Sequence, residues 1–80
     1  MLGLKFMRLL NDMSQTEVGD IVGVSKQCVD NWEKGRRSVS EDYCNTIATY
    51  FGVTPKFLKK DFTASEVAEK LQGGMTNDRT

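Results

Sequence analysis

Amide and ammonium side chains are concentrated on one face of a short predicted helix. On a helical wheel, Lys26, Gln27 and Asn31 share one side, and Val29 and Trp32 share the other. Glutamine and asparagine amides can bond adenine bidentately, and a lysine can reach the acceptors of guanine, so this face suits contacts to base edges in a major groove. An ordinary amphipathic surface helix has the same pattern, and the wheel alone leaves both interpretations open.

Charge is balanced over the whole chain but not within this segment. Eleven basic and eleven acidic side chains give a formal net charge of zero, which argues against a uniformly basic nucleic-acid binder. Between residues 26 and 37 the basic side chains Lys26, Lys34, Arg36 and Arg37 outnumber the acidic Asp30 and Glu33. Such a local basic patch can bind phosphates in a neutral protein. Asp30 also lies four residues after Lys26, a spacing at which the two could pair on the helix surface.

The sequence lacks the residue clusters of an enzyme or a metal site. It contains no histidine, and its two cysteines, Cys28 and Cys44, have no metal-binding spacing. We therefore expect no enzymatic activity, no cofactor and no metal ion, and we expect both cysteines to be buried thiols of a cytoplasmic protein. Because no apolar run approaches the roughly 18 residues of a membrane span, we expect no membrane association.

Capping residues mark the starts of the helices that must position these side chains. Each of five starts has a serine or threonine, and in two cases a glutamate follows three residues later, as in a capping box. These residues are Ser14 with Glu17, Ser25, Ser40, Thr54, and Thr63 with Glu66. Glycines that can end a helix follow at 23, 35, 52 and 73–74. The pattern predicts helices near 2–11, 15–22, 26–34, 41–51 and 55–59, a weaker helix near 64–72, and a loose tail.

A tight turn separates the second and third predicted helices. Only Gly23 and Val24 stand between the second helix and the cap at Ser25, and such a short link makes two helices cross steeply, as in a helix-turn-helix. Gly19 lies in the middle of the second helix, where glycine costs roughly 1 kcal/mol relative to alanine. We expect this glycine where the two backbones approach. The N-terminal half of the third helix is then exposed and can enter a major groove about 12 Å wide.

The chain resembles the Cro/repressor (Xre-type) helix-turn-helix family, whose fold is called lambda-repressor-like. The matching segments are SQTEVGDIVGVSKQCVDNWEKGRR at 14–37 and IATYFGVTPKFL at 47–58, within a resemblance that covers about residues 4–58. The resemblance implies an all-α fold, with a compact five-helix DNA-binding domain at residues 1–60. Residues 61–80 would form a C-terminal extension with a short helix and a disordered end.

Two positions depart from the family pattern. Gly19 stands where alanine is usual, and Val39 stands near a proline that usually stiffens the loop after the third helix. The resemblance also implies an ion pair between Arg8 and Glu33, which would tie the first helix to the third. Glu33 would then be structural and would not repel DNA.

The resemblance implies a DNA contact for ten residues. Base contacts would come from Lys26, Gln27 and Asn31. The residues that would contact the DNA backbone are Ser14, Gln15, Ser25, Lys34, Gly35, Arg36 and Arg37. Two alternatives remain open: Gln15 could be an ordinary first residue of a helix, and Arg36 and Arg37 could be only solubilising charge.

An apolar stripe in the C-terminal segment has no assigned partner in the sequence. Ala64, Val67, Ala68 and Leu71 recur at helical spacing, and this stripe either folds back on the domain or packs on a partner. Members of the family usually bind palindromic sites as two-fold dimers. The residues expected at such a dimer contact are Phe57, Leu58, Val67 and Leu71.

The expected function is that of a sequence-specific transcriptional regulator that binds double-stranded DNA. In this interpretation the protein is a repressor that occupies a palindromic operator as a homodimer. The alternative is an antitoxin-type or other protein-interaction module of the same fold, whose C-terminal segment binds a protein partner.

Overall fold

Six helices make up the part of the chain that the structure describes. The computed structural model describes the backbone of residues 1–79 and the side chains of residues 1–72. The helices are α1 (Gly3–Leu10), α2 (Gln15–Val22), α3 (Lys26–Glu33), α4 (Glu41–Phe51), α5 (Pro55–Lys59) and α6 (Ala64–Arg79). No strand lies within residues 1–79, although Leu2 and Asp61 form an isolated antiparallel bridge. The all-α fold predicted from the sequence is confirmed.

Side-chain caps begin the helices where the sequence predicted them. Ser14 Oγ accepts a hydrogen bond of 3.0 Å from Glu17 N, and Glu17 Oε1 accepts one of 2.8 Å from Ser14 N, which completes the capping box of α2. Ser25 Oγ accepts a bond of 3.2 Å from Cys28 N at the start of α3. Each such bond satisfies an amide that the helix leaves unpaired and contributes about 1 kcal/mol. The same type of cap begins α4 and α5, at Ser40 and Thr54.

The last helix, α6, continues further than the sequence predicted. Gly73 and Gly74 suggested a stop and a loose tail, but the helix runs Ala64–Arg79, so the predicted stop is wrong. A glycine permits the left-handed conformation of a helix cap without requiring it, and its cost inside a helix is only about 1 kcal/mol. The last residue of the predicted tail, Thr80, lies outside the described residues.

Side chains from the first five helices meet in one hydrophobic core. The fully buried members are Leu4, Val18, Val29, Cys44, Ile47 and Leu58. Trp32 is almost as deeply buried, and its ring lies 5.9 Å from that of Tyr43 on α4. Val39, near the position of the family's usual proline, is also buried. The loop after α3 is therefore anchored by the packing of this apolar side chain.

The two cysteines differ in burial. Cys44 is fully buried, and this desolvation raises the pKa of its thiol above the ordinary value. Cys28 on α3 is only partly buried. The prediction of two buried thiols is therefore correct for Cys44 alone, because Cys28 lies at the border between the inner and outer sides of its helix.

Two glycines let helices approach more closely than a side chain would allow. At Gly19 in α2, a Cβ atom would lie 2.5 Å from the carbonyl oxygen of Val24. The close backbone approach predicted for Gly19 is confirmed. At Gly3 in α1, a Cβ atom would overlap the carbonyl group of Phe57. This contact between α1 and α5 was missed in the sequence, since nothing local to Gly3 indicates which helix packs on it.

Candidate nucleic-acid interface

The turn between α2 and α3 presents α3 at the surface. Gly23 adopts the left-handed conformation, with φ of 76°, and Val24 N donates a 2.9 Å hydrogen bond back to Gly19 O. This backbone arrangement ends α2 and lets α3 begin after only three residues. Below it, Val29 is fully buried and Trp32 is 4% exposed, so the inner side of α3 is fixed and its opposite side faces outward.

The three predicted base-contacting residues lie together on the outer side of α3. Lys26 and Gln27 are exposed, and Asn31 is half-buried. Gln27 Nε2 donates a hydrogen bond of 3.3 Å to Asn31 Oδ1, one helical turn away. The amide pair therefore has a shared orientation, while other donor and acceptor positions of both groups stay available for a ligand.

A nearly buried ion pair joins α1 to the C-terminal end of α3. Arg8 donates from Nε to Glu33 Oε2 at 2.7 Å and from Nη2 to Glu33 Oε1 at 3.0 Å, and its Nη1 donates to Met13 O at 3.0 Å. The side chains of Arg8 and Glu33 are 11% and 3% exposed. The structure thus contains the pair that the family resemblance implied. The negative charge of Glu33 is therefore balanced within the protein by the Arg8 guanidinium. A buried carboxylate is stable only with such a partner.

Gln15, the first residue of α2, points toward α3. Its Nε2 donates to Asp30 Oδ1 and to Glu33 Oε1, both at 3.1 Å. The sequence allowed two roles for Gln15, a contact to the DNA backbone or an ordinary first residue of a helix. In the structure its side chain has a third role, because it links α2 to α3. Because both N–H groups of its amide are in use, a phosphate could bind Gln15 only through its backbone amide or by displacing one of the carboxylates.

The loop after α3 has exposed cations on a backbone that is folded against the helix. Arg36 N and Arg37 N donate to Asn31 O at 2.9 and 3.3 Å, and Gly35 N donates to Trp32 O at 3.1 Å. The Gly35 amide, which was expected to bind a phosphate, is therefore already satisfied by the end of its own helix. The side chains of Arg36 and Arg37 remain exposed.

Asp30 interacts with these loop cations and not with Lys26. Its Oδ2 lies 3.1 Å from Lys34 Nζ and 3.8 Å from an Arg36 nitrogen, so the suggested pair with Lys26 is wrong. An acid that precedes its base by four residues is the better orientation on a helix, because both charges then suit the helix dipole. The hydrogen bond from Gln15, followed by the bond from Lys34, lowers the pKa of Asp30 below its ordinary value.

The two serines proposed at the DNA backbone both serve as helix caps. Ser14 Oγ and Ser25 Oγ each accept an amide hydrogen bond inside the protein. A hydroxyl that accepts one bond can still donate another. Both residues are exposed, so each hydroxyl can donate to a phosphate oxygen while it keeps its cap.

Residues 4–58, more than half of the chain, match the model of the helix-turn-helix family HTH_3. The chain belongs to this Cro/C1-type helix-turn-helix family. The searches of curated proteins and of solved structures gave no significant match to this chain. The family is one of DNA-binding domains, so the protein is a DNA-binding helix-turn-helix regulator in general terms.

The predicted dimer contacts are only partly available in this Cro/C1-type protein. Leu58 is fully buried in its own chain, so its assignment to a dimer contact is wrong. Phe57 is half-buried, and its ring lies 6.2 Å from that of Phe6 and 5.0 Å from that of Phe62. Val67 is also half-buried against the core, whereas Leu71 is 44% exposed. The apolar stripe of α6 thus folds back at Val67 and leaves Leu71 uncovered.

An apolar groove of about 380 Å³ separates α1 from α6. Its lining residues are Met1, Phe6, Leu9, Leu10, Val67 and Leu71. Leu9 and Leu10 are 49% and 55% exposed. Neither leucine is among the residues predicted for an association surface. Adjacent leucines near the end of a helix are a usable signal, since two neighbouring positions cannot both point into the core.

The described part of the chain contains neither a metal-binding cluster nor a helix that could span a membrane. Within residues 1–72, whose side chains the structure describes, no group of three histidine, cysteine, aspartate or glutamate side chains could hold a metal ion. Nor does any helix over these residues have the length and apolar character needed to cross a membrane.

Proposed function

We propose that this Cro/C1-type protein is a transcriptional repressor that binds a palindromic operator as a homodimer and acts in the cytoplasm. The outer side of α3 is the observation that carries the proposal. Lys26 and Gln27 are exposed there and Asn31 is bonded to Gln27, above an inner side that is buried at Val29. These are side chains that can bond adenine and guanine edges in a major groove.

Phosphate contacts on both flanks of α3 would fix its position in the groove. Arg36, Arg37 and Lys34 are exposed on the loop after the helix, and Ser14 is exposed at the N-terminus of α2. Such contacts supply affinity and register but no sequence preference, which comes from the base-contacting residues. A protein bound in this way represses transcription by occupying the site.

A dimer would supply the affinity that one short recognition helix lacks. The groove between α1 and α6 leaves Leu10 and Leu71 exposed, and exposed apolar patches of this kind often mark association surfaces. Two copies that pair through this face would present two α3 helices to one palindromic site, and half-sites in such operators lie about 34 Å apart. The same groove also favours the second candidate function, an antitoxin-type module that binds another protein there.

Selection of bound sequences from a random duplex pool tests the DNA-binding proposal. We expect an enriched site with two-fold symmetry and half-sites separated by about one helical turn. Enrichment of an asymmetric site would contradict the dimer, and recovery of no consensus at all would contradict sequence-specific binding.

Sedimentation of the purified protein at micromolar concentration separates the two association modes. We expect the wild type to be a dimer and Leu10→Glu to be a monomer, because a charge in the groove opposes burial of apolar surface. Tyr50→Ser is the matched control, since Tyr50 is 59% exposed and does not line the groove. A monomeric wild type that forms a stable complex only with a second polypeptide would favour the antitoxin-type function.

A further inference from the structure

The carboxylate of Asp30 occupies a place among the cations that the proposed interface needs for phosphates. Its Oδ2 lies 3.1 Å from Lys34 Nζ and 3.8 Å from Arg36 Nη1. Its Oδ1 accepts a hydrogen bond of 3.1 Å from Gln15 Nε2. The neighbours of this carboxylate are thus an ammonium, a guanidinium and an amide N–H. The same three types of group bind phosphate oxygens.

The two sides of this cluster differ in how firmly they are held. Gln15 also donates to Glu33, which is fixed by Arg8, so Asp30 is connected to a nearly buried network. The side chains of Lys34 and Arg36 are 56% and 60% exposed. Long exposed side chains change partners at little cost. The carboxylate is therefore the fixed member, and the two cations are the members that can transfer to DNA.

We propose that Asp30 is an internal competitor for the phosphate-binding side chains Lys34 and Arg36, and that it lowers the affinity of α3 for duplex DNA of every sequence. This inference rests on the proposed DNA-binding function. Each phosphate contact by Lys34 or Arg36 replaces an interaction with Asp30, so its net gain is smaller than that of an unpaired cation. The affinity that remains then depends more on base contacts from the outer side of α3.

Asp30→Asn tests this inference with little change of shape, because an asparagine oxygen can still accept the bond from Gln15. The probe is a labelled random-sequence duplex of about 20 base pairs, titrated at several salt concentrations between roughly 50 and 200 mM. We expect the variant to bind about threefold to tenfold more tightly at the lowest salt. We also expect the slope of log affinity against log salt to steepen, by up to about 0.9 for each cation released to a phosphate.

Asp20→Asn is the matched control for net charge. Asp20 is exposed on α2 and takes part in none of the ion pairs among the described residues. A gain from Asp20→Asn as large as that from Asp30→Asn would show that only total charge matters and would overturn the inference.

Removal of the two cations separates competition from simple repulsion. We combine Asp30→Asn with Lys34→Gln and Arg36→Gln, and we measure the same duplex. If Asp30 acts by holding the two cations, most of its effect on affinity disappears in this background. If Asp30→Asn gives the same gain without Lys34 and Arg36, the carboxylate acts by direct repulsion of DNA, and the inference is wrong.

The outcomes also separate this inference from the function on which it rests. If the wild type binds the duplex and Asp30→Asn binds no more tightly, the inference fails and the DNA-binding function stands. If neither protein binds at low salt, both fail. Circular dichroism checks that each variant is folded, and Asp30→Ser repeats the removal of charge with a smaller side chain should Asp30→Asn not fold.

Discussion

Two carboxylates on α3 accept hydrogen bonds from the same amide nitrogen but have opposite surroundings. Glu33 is 3% exposed and forms a bidentate pair with Arg8. Asp30, three positions earlier, is 21% exposed and interacts with cations that are more than half exposed. Gln15 Nε2 bonds to both. The Glu33 pair is therefore enclosed by the fold, whereas the cations that neighbour Asp30 remain accessible to solvent.

The same contrast separates the inner and outer sides of α3. On the inner side, Val29, Trp32 and Glu33 are held by the core and by Arg8. On the outer side, Gln27 and Asn31 bond mainly to each other. A rigid inner side with an adaptable outer side is what a groove-binding helix requires, since the scaffold fixes register while the exposed groups remain free to pair with bases.

The strongest test of this contrast is Glu33→Ala. The substitution leaves the Arg8 guanidinium nearly buried without its carboxylate, and we expect the free energy of unfolding to fall by about 3 kcal/mol, a large part of the stability of a small domain. Urea unfolding gives the value. The control is Lys34→Gln, which removes an exposed partner of Asp30 and should change stability little. Equal losses from the two substitutions would erase the distinction between the pairs.

On the outer side, Gln27→Ala should change base preference and leave the fold intact. We expect a loss of about 1–3 kcal/mol for the preferred base at one position of each half-site, with an unchanged unfolding curve. Competition binding with single-position variants of the selected site measures this. Arg36→Ala is the comparison, because it should weaken all sequences alike and flatten the salt dependence. A sequence-blind loss from Gln27→Ala would remove it from the base-contacting set.

Gly19→Ala tests how much the stability of the fold depends on the close approach of α2 to the turn before α3. The added Cβ would meet Val24 O at 2.5 Å, and overpacking of this kind costs about 1–3 kcal/mol. Better helix propensity returns about 1 kcal/mol, so we expect a net destabilisation of about 1 kcal/mol in thermal unfolding. Asp20→Ala, at the next position, gains propensity without the contact and should not destabilise. A more stable Gly19→Ala protein would show that the turn adapts to the alanine that the family usually has.

The smallest expected effect is the contribution of Asp30 and its exposed cations to stability, and it should depend on pH. The pKa of Asp30 is lowered in the folded protein by its bonds to Gln15 and Lys34. A lowered folded-state pKa stabilises the fold above the unfolded value near 4 and loses that contribution as the pH falls through the folded value. We therefore expect wild type to lose more stability than Asp30→Asn as the pH falls below about 4. Urea unfolding at several pH values measures this. If wild type and Asp30→Asn lose stability equally as the pH falls, the interactions of Asp30 contribute nothing to the free energy of unfolding.

Much of the candidate site could be predicted because its signals are local. Ser14 and Ser25 mark helix starts within one turn of the residues they cap, and the two sides of α3 follow from helical spacing. The partner of Asp30 could also have been predicted. On a helix an acid is best placed four residues before its base, and this order favours Lys34 over Lys26. The burial of Leu58 was out of reach, because it depends on where α5 meets the other helices.

By itself, the sequence determined that the chain forms helices with defined starts, that α3 has a buried and a polar side, and that Gly19 lies at a close backbone approach. Only the tertiary structure decided that Gln15 bonds Asp30 and Glu33 across two helices, and that Leu9 and Leu10 form a groove with Leu71. Caps and helix faces arise from neighbours within about one turn, whereas these contacts join residues brought together only when separate helices pack.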